Sequence, residues 1–292
     1  MNIVKNRAWS FILVTLVYIA ATVGGIFLYL YLPIKTELFW LKLLIADVAA
    51  TAFTFVFSLI FRNASVYDPY WSVQPIVILV AYAIAYGVNI SGILLLVAVC
   101  FWGVRLTANW AYTFKSLGHQ DWRYTMLKEK TGVFYPIINF VGIHLVPTLV
   151  VYGCILPAVF AVQGSYGAQT DLQFVGVAIF LFVSVCAATM QGVADIQMHR
   201  FRKQKTGGFI RVGLWKYSRH PNYLGEILMW WGVGLACVCI MPDKWYLLAG
   251  AVANTLLFLC VSIPMADGRQ SKKAGFAEYK AQTRMLLPIK KF

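Results

Sequence analysis

Residues 9–32 read WSFILVTLVYIAATVGGIFLYLYL, a run without one charged side chain that is closed by Pro33. A transmembrane helix needs about 20 apolar residues to cross a hydrocarbon core of ~30 Å, and this run exceeds that. It is also too long for a signal-peptide core, and no small-residue cleavage site clearly follows it, so it reads as a span. Working outward, comparable runs occur at about residues 38–61, 71–87, 92–114, 135–162, 174–194, 223–240 and 245–263. The fifth is long enough to tilt or kink at Pro147 or Pro157. Runs this continuous lack the alternation of barrel strands, and only helices or closed barrels satisfy every backbone group in lipid. The expected fold is an all-α integral membrane protein. It is a single bundle of about eight transmembrane helices (seven to nine), one multispanning domain over residues 1–292 with no linker.

Composition agrees. Of 292 residues, 60% are hydrophobic and 12% charged, against about a quarter charged in ordinary soluble domains. Twenty-five Lys and Arg against eleven Asp and Glu give a net charge of +14, which in a membrane protein is read by location. Eight spans put both termini on one side. Of the 25 cations, 21 fall there, from Lys5 and Arg7 through the loops to the Arg269–Lys291 tail. Lys35, Lys42 and Lys244 fall on the other side, and Arg105 lies inside the fourth span. Lys42 is near enough to an end to snorkel. Cytoplasmic loops gather cations, so both termini are expected in the cytoplasm, the charge is mostly topology, and no nucleic-acid partner is implied. The six cysteines all fall in spans, where they read as packing residues without disulfides. The four histidines lack zinc-ligand spacing, so no metal is expected.

Each ionisable group in a span costs about 2.5–3.5 kcal/mol on insertion scales and asks for a partner or a task. Arg105 and Asn109 project from one face of the fourth span. Gln191, Asp195, His199 and Arg202 form one stripe on a helix that emerges into the cytosol. Residues 203–215 make a basic loop with Gly207, Gly208, Arg211 and Gly213, of the type that meets a phosphate. The sequence Tyr217-Ser218-Arg219-His220-Pro221-Asn222-Tyr223-Leu224-Gly225-Glu226 opens the seventh span. Pro221 suits a first helical turn, Ser218 is a candidate cap, and Asn222, Tyr223 and Glu226 share one turn at the membrane boundary. Glu226, followed by Ile-Leu-Met-Trp-Trp, needs Arg219, His220 or a ligand group. Pairing with Arg219 to fix the helix entry is the structural alternative. In the tail, Asp267 and Glu278 re-enter an otherwise basic segment.

The run Ser218–Glu226 resembles the signature of the steroid 5α-reductase C-terminal domain superfamily, which also contains isoprenylcysteine and phospholipid methyltransferases. The resemblance covers about residues 191–292 and looks closest to an uncharacterised, mainly bacterial branch, as does Asp121-Trp122-Arg123-Tyr124. It implies that NADPH is held from the cytoplasmic side of a bacterial inner membrane by the carboxyl half, residues 191–292. Asp195 and Arg202 match the family's cytosol-facing acid and arginine, and Gln191 stands where the reductases have an amide. Asn222 and Glu226 match the signature Asn and Glu near the nicotinamide. Arg211 with Gly213-Leu214 resembles the loop over the adenosine phosphate. Arg219, His220, Tyr223 and Asp267 complete the implied cofactor set.

Residues 1–134 are expected to form the substrate pocket, entered laterally by a lipophilic steroid- or isoprenoid-like molecule. Reducing a double bond conjugated to a carbonyl needs hydride at the β-carbon while a donor polarises the oxygen. The reductases use an amide, an acid and a tyrosine for this. Gln74 supplies the amide here, but Pro75 occupies the acid's place and Trp102 the tyrosine's, so Asp68, Tyr70 and Tyr124 are the candidates to act with it. Two other functions stay open. Methyltransferase relatives bind S-adenosylmethionine with the same half, but typically carry an Arg followed by a Glu-Glu pair where this chain has Pro264-Met265-Ala266-Asp267-Gly268-Arg269. A non-enzymatic lipid carrier or receptor would explain the spans but not Glu226 beside Arg219 and His220. Contact with membrane lipids is common to all three, and the oligomeric state is left open.

Overall fold

The computed structural model describes residues 3–164, 169–205 and 207–288. Lys290 and Lys291, counted above among the cytoplasmic cations, lie outside them. Eight stretches are long and apolar enough to cross a membrane: Arg7–Tyr31, Thr36–Ile60, Ala64–Tyr86, Ile90–Thr113, Trp122–Gln163, Asp171–Lys203, Pro221–Ile240 and Pro242–Gln270. Among the described residues no strand forms, apart from an isolated bridge between Ser218 and Arg284. The chain is an all-helical, multi-pass membrane protein.

Local chemistry sets the ends of these helices. The Asn6 side chain accepts from the Trp9 amide and opens α1 (Arg7–Tyr31), which stops at Leu32 before Pro33. Next come α2 (Phe39–Ile60), α3 (Tyr70–Tyr86) and α4 (Ile90–Thr113). Asp121 caps α5 (Trp122–Thr131), and a Thr170–Gln173 capping box opens the 33-residue α8 (Asp171–Lys203). Between α5 and α8 lie α6 (Tyr135–Ile138), a π-helical segment over Asn139–Leu145, and α7 (Val146–Gln163). The end of the chain holds α9 (Pro221–Ile240), α10 (Ala249–Leu257), a second π segment over Phe258–Ser262, α11 (Ile263–Gln270) and α12 (Phe276–Gln282).

Each π segment ends two residues before a proline, Pro147 or Pro264. Proline has no N–H to return to the preceding turn, and a wider turn takes up the misfit. The break in the fifth span therefore sits ahead of Pro147, while Pro157 lies within continuous α7.

The chain divides into two compact units, one made of Met1–Ile78 with Trp110–Tyr152, the other of Leu79–Asn109 with Gly153–Phe292. In the first unit, α1 buries Ser10, Val14, Val17 and Ala21 at helical spacing and leaves Ile12, Leu16, Ile19, Val23 and Leu30 outward. An apolar outer face of this kind suits lipid. Val14 and Val17 meet Val66, Phe114 and Leu117, and Ala21 meets Ala50, Tyr67 and Tyr70. Lys42 does not snorkel freely: it is buried in the first turns of α2 with its ammonium 5.1 Å from the centre of the Tyr29 ring.

In the second unit, α8 and α9 pack along their length. A Cβ at Gly225 would meet Gln191 and the Ala187 carbonyl, and one at Gly232 would strike Ser184 and the Phe180 carbonyl. Two glycines seven residues apart thus let the backbones approach, as small residues do between membrane helices. Ser184 uses that proximity to donate to the Met229 carbonyl at 3.0 Å.

Candidate functional site

Three helical stripes of the second unit converge on buried polar chemistry. Trp102, Arg105 and Asn109 project from α4, Gln191, Asp195 and His199 from α8, and Asn222, Glu226 and Trp230 from α9, each set at spacings of three or four. At the centre Glu226 is only 3% exposed. Its Oε2 accepts from Trp102 Nε1 at 2.8 Å and from the Gln191 side-chain amide, and its Oε1 accepts from Trp230 Nε1 at 2.9 Å. The other end of Gln191 accepts from Arg105, whose second terminal nitrogen donates to Asp195 Oδ2 at 3.0 Å. Asn222 lies close enough to Asp195 to act on its carboxylate, and His199 meets Asn109 Oδ1 at 2.7 Å. One network therefore runs from the buried carboxylate through an amide to an Arg–Asp pair. The structure brings Gln191, Asp195, Asn222 and Glu226 to one place.

Two expectations for the seventh span need correction. Glu226 does not pair with Arg219 or His220, because three neutral N–H donors already satisfy its oxygens. Ser218 does not cap the α9 helix; His220 occupies that position without a side-chain cap bond, and the Ser218 hydroxyl accepts from the His220 amide at 3.2 Å.

Arg219 and His220 turn instead to Asp267. Arg219 donates to Asp267 Oδ2 at 3.3 Å and to the Thr283 carbonyl at 2.6 Å, and His220 Nε2 lies 2.9 Å from Asp267 Oδ1. His220 stacks on Tyr223, with ring centres 5.2 Å apart. These contacts join Arg219, His220, Tyr223 and Asp267 into a second cluster that ties the start of α9 to the tail.

The basic loop has a different anchor. Arg211 donates to the Gly275 carbonyl and packs over the Phe209 ring at 4.5 Å. Lys273 donates to the Gly208 carbonyl at 2.6 Å. Its ammonium is held below the usual lysine range, first by partial burial and then by Arg269 and Arg202 nearby. Arg269 and Arg202 thus both lie within electrostatic reach of Lys273. The adjacent Tyr279 hydroxyl, which donates to the Trp215 carbonyl, is pushed up to about 12 by burial.

The four catalytic candidates all lie in the first unit and fall into two pairs. Tyr124 Oη donates to Asp68 Oδ1, beside the Arg123–Asp121 ion pair of 2.8 Å. Tyr70 and Gln74 both donate to Asp47, at 2.9 and 2.6 Å. Asp47 was missed in the sequence, although an acid within an apolar run of α2 is the kind of residue that asks for a reason there. Arg105 and Trp102 were noticed in the sequence, but nothing in it placed them on Gln191 and Glu226.

A family described as "Protein of unknown function (DUF1295)" matches residues 54–283. An uncharacterized protein of Schizosaccharomyces pombe is 24% identical over 198 residues, covering 58% of this chain and 56% of the relative. The chain thus spans little more than half the length of that relative. No solved structure matches.

Proposed function

The chain belongs to the DUF1295 family, and from that premise we propose that it is a membrane-embedded NADPH-dependent oxidoreductase of the steroid 5α-reductase superfamily type. It would reduce a carbon–carbon double bond conjugated to a carbonyl in a lipophilic substrate, in a bacterial inner membrane with the cofactor side facing the cytoplasm. The observation that carries this reading is the gathering of Arg202, Arg269 and Lys273 on the unit that also holds the Arg105–Asp195–Asn222–Gln191–Glu226 network.

The donor set suits a dinucleotide phosphate. Lys273, held low first by partial burial and then by Arg269 and Arg202, would be relieved by an anion, and Arg219 Nε is buried with no hydrogen-bond partner. On this reading Arg202, Lys273 and Arg211 hold phosphate, and Asp195 with Asn222 orients the sugar and amide end. Glu226 acts at one remove by fixing Gln191, which in turn fixes Arg105. NADPH, when bound, supplies the hydride. The candidates to polarise the substrate carbonyl are Gln74 with Asp68, Tyr70 or Tyr124, all in the first unit.

The test is binding of NADPH and of S-adenosylmethionine to detergent-purified protein. NADPH binding that weakens about tenfold in Asn222→Ala and in Arg202→Ala supports the reading, the loss expected for one charge-assisted hydrogen bond. Tight methyl-donor binding without NADPH binding would replace it with methyl transfer, and binding of neither would favour a lipid carrier.

A further inference from the structure

The tail meets the basic loop along a short stretch of backbone, and the two are tied twice. Lys273 donates to the Gly208 carbonyl at 2.6 Å, and Arg211 donates to the Gly275 carbonyl at 2.8 Å. One tie runs from tail to loop and the other from loop to tail, so residues 208–211 and 273–275 lie side by side. The rings of Phe209, Phe276 and Tyr279 pack together beside these ties, with Phe209 centred 5.3 Å from Phe276 and 5.1 Å from Tyr279. Tyr279 is fixed in turn. Its hydroxyl donates to the Trp215 carbonyl, and Trp215 Nε1 donates to the Ala194 carbonyl of α8 at 3.1 Å.

Arg211 lies on this bed of rings. Its guanidinium carbon is 4.5 Å from the centre of the Phe209 ring and 5.8 Å from that of Tyr279. The residue is exposed, and among the described residues no carboxylate pairs with it. A guanidinium carries five N–H groups, so the bond to Gly275 leaves four for a ligand. An exposed arginine is ordinarily mobile, and ordering it on binding lowers affinity by up to about tenfold. Here the side chain is ordered in advance.

Gly275 makes that geometry possible. Its φ of +76° lies in the left-handed region that favours glycine. A Cβ there would come within 2.7 Å of the same Arg211 nitrogen that makes the bond. That nitrogen ends a flexible side chain, so Arg211 is the group that would yield, leaving both its carbonyl and its ring.

We propose that Gly275 is a positioning residue that, with the rings of Phe209 and Tyr279, presets Arg211 to receive a phosphate group. The planar fork of a guanidinium matches phosphate oxygens in pairs. The charge nearby fits the same ligand, since Lys273 stands two residues before Gly275 and Arg202 and Arg269 act on it. The inference rests on reading the basic loop as a phosphate site, and gives the tail control over how tightly that site binds.

The test measures binding of inorganic pyrophosphate, and separately of NADPH, to the detergent-purified full-length protein. Gly275→Ala should weaken pyrophosphate binding about tenfold. Arg211→Lys, which keeps the charge and loses the planar fork, should lose about as much. In an Arg211→Ala background Gly275→Ala should have no further effect, because it acts through Arg211. Gly87→Ala controls for backbone strain. Gly87 lies in the turn between α3 and α4 at φ +73°, with nothing within 4 Å of an added Cβ, and its substitution should leave affinity at the wild-type value. Unchanged affinity in Gly275→Ala, an equal loss in Gly87→Ala, or a full loss on adding Gly275→Ala to Arg211→Ala overturns the proposal. So does a wild-type protein that binds neither probe. Pyrophosphate binding without NADPH binding keeps the preset arginine and removes the nucleotide reading. Displacement of pyrophosphate by phosphatidylglycerol in mixed micelles keeps it too, and assigns the phosphate to a lipid headgroup.

Discussion

Asp47 and Glu226 are both buried acids on membrane helices, and both are surrounded by neutral hydrogen-bonding groups, yet the two sites are built differently. Glu226 faces two indoles, which can only donate, and an amide whose oxygen is already committed to Arg105. Asp47 faces a phenol and an amide that can reverse their roles. The first arrangement demands an anion, and the second accepts either protonation state. The partners decide what a buried carboxyl does, more than the depth of burial.

Substitutions by the matching amide separate the two directly. Glu226→Gln puts an NH2 against donors that cannot turn, and should cost about 2–4 kcal/mol, one or two stranded donors. Thermal unfolding in detergent measures it, and a loss below about 1 kcal/mol would erase the contrast. Asp195→Asn weakens a pair whose side chains are 15% and 16% exposed. Partial solvent screening lowers its expected cost to about 1–2 kcal/mol. Asp47→Asn should cost under about 1 kcal/mol, because Gln74 can turn its unpartnered oxygen toward the new N–H. A penalty as large as that of Glu226→Gln would mean that Asp47 is held ionised. Smallest of all, Lys244→Ala breaks a pair with Asp243, whose side chain is 72% exposed. It should change stability by no more than about 0.5 kcal/mol.

The spans were legible because lipid leaves a chain few options. Apolar runs of the right length reproduce the first, second, fourth and seventh crossings closely, while Ala64–Tyr86, Trp122–Gln163, Asp171–Lys203 and Pro242–Gln270 extend well beyond their runs, the last carrying Asp267 on its final turn. The Gln191–Asp195–His199 stripe was legible for a similar reason, since helical spacing fixes which side chains share a face. What the sequence hid were the partners. Nothing local to Glu226 says that Trp102, more than a hundred residues earlier, donates to it, or that Arg219 prefers Asp267. Spacing within a helix says which face a residue takes, and says nothing of which helix meets that face. The single acid in α2 was overlooked because its partners, Tyr70 and Gln74, belong to the next span.

The π segment at Asn139–Leu145 has a consequence for how the sequence can vary. It carries one residue more than an α-helix of the same rise, so deleting one residue there would restore regular winding, whereas the same deletion in α7 would not. Regular winding would also rotate the side chains on one side of the deletion by about 100° relative to the other. His144 would then leave its place beside Tyr67. The surplus residue is therefore an adjustment of phase: it lets one helix present His144 to α2 and Tyr152 to the Trp40 carbonyl at once.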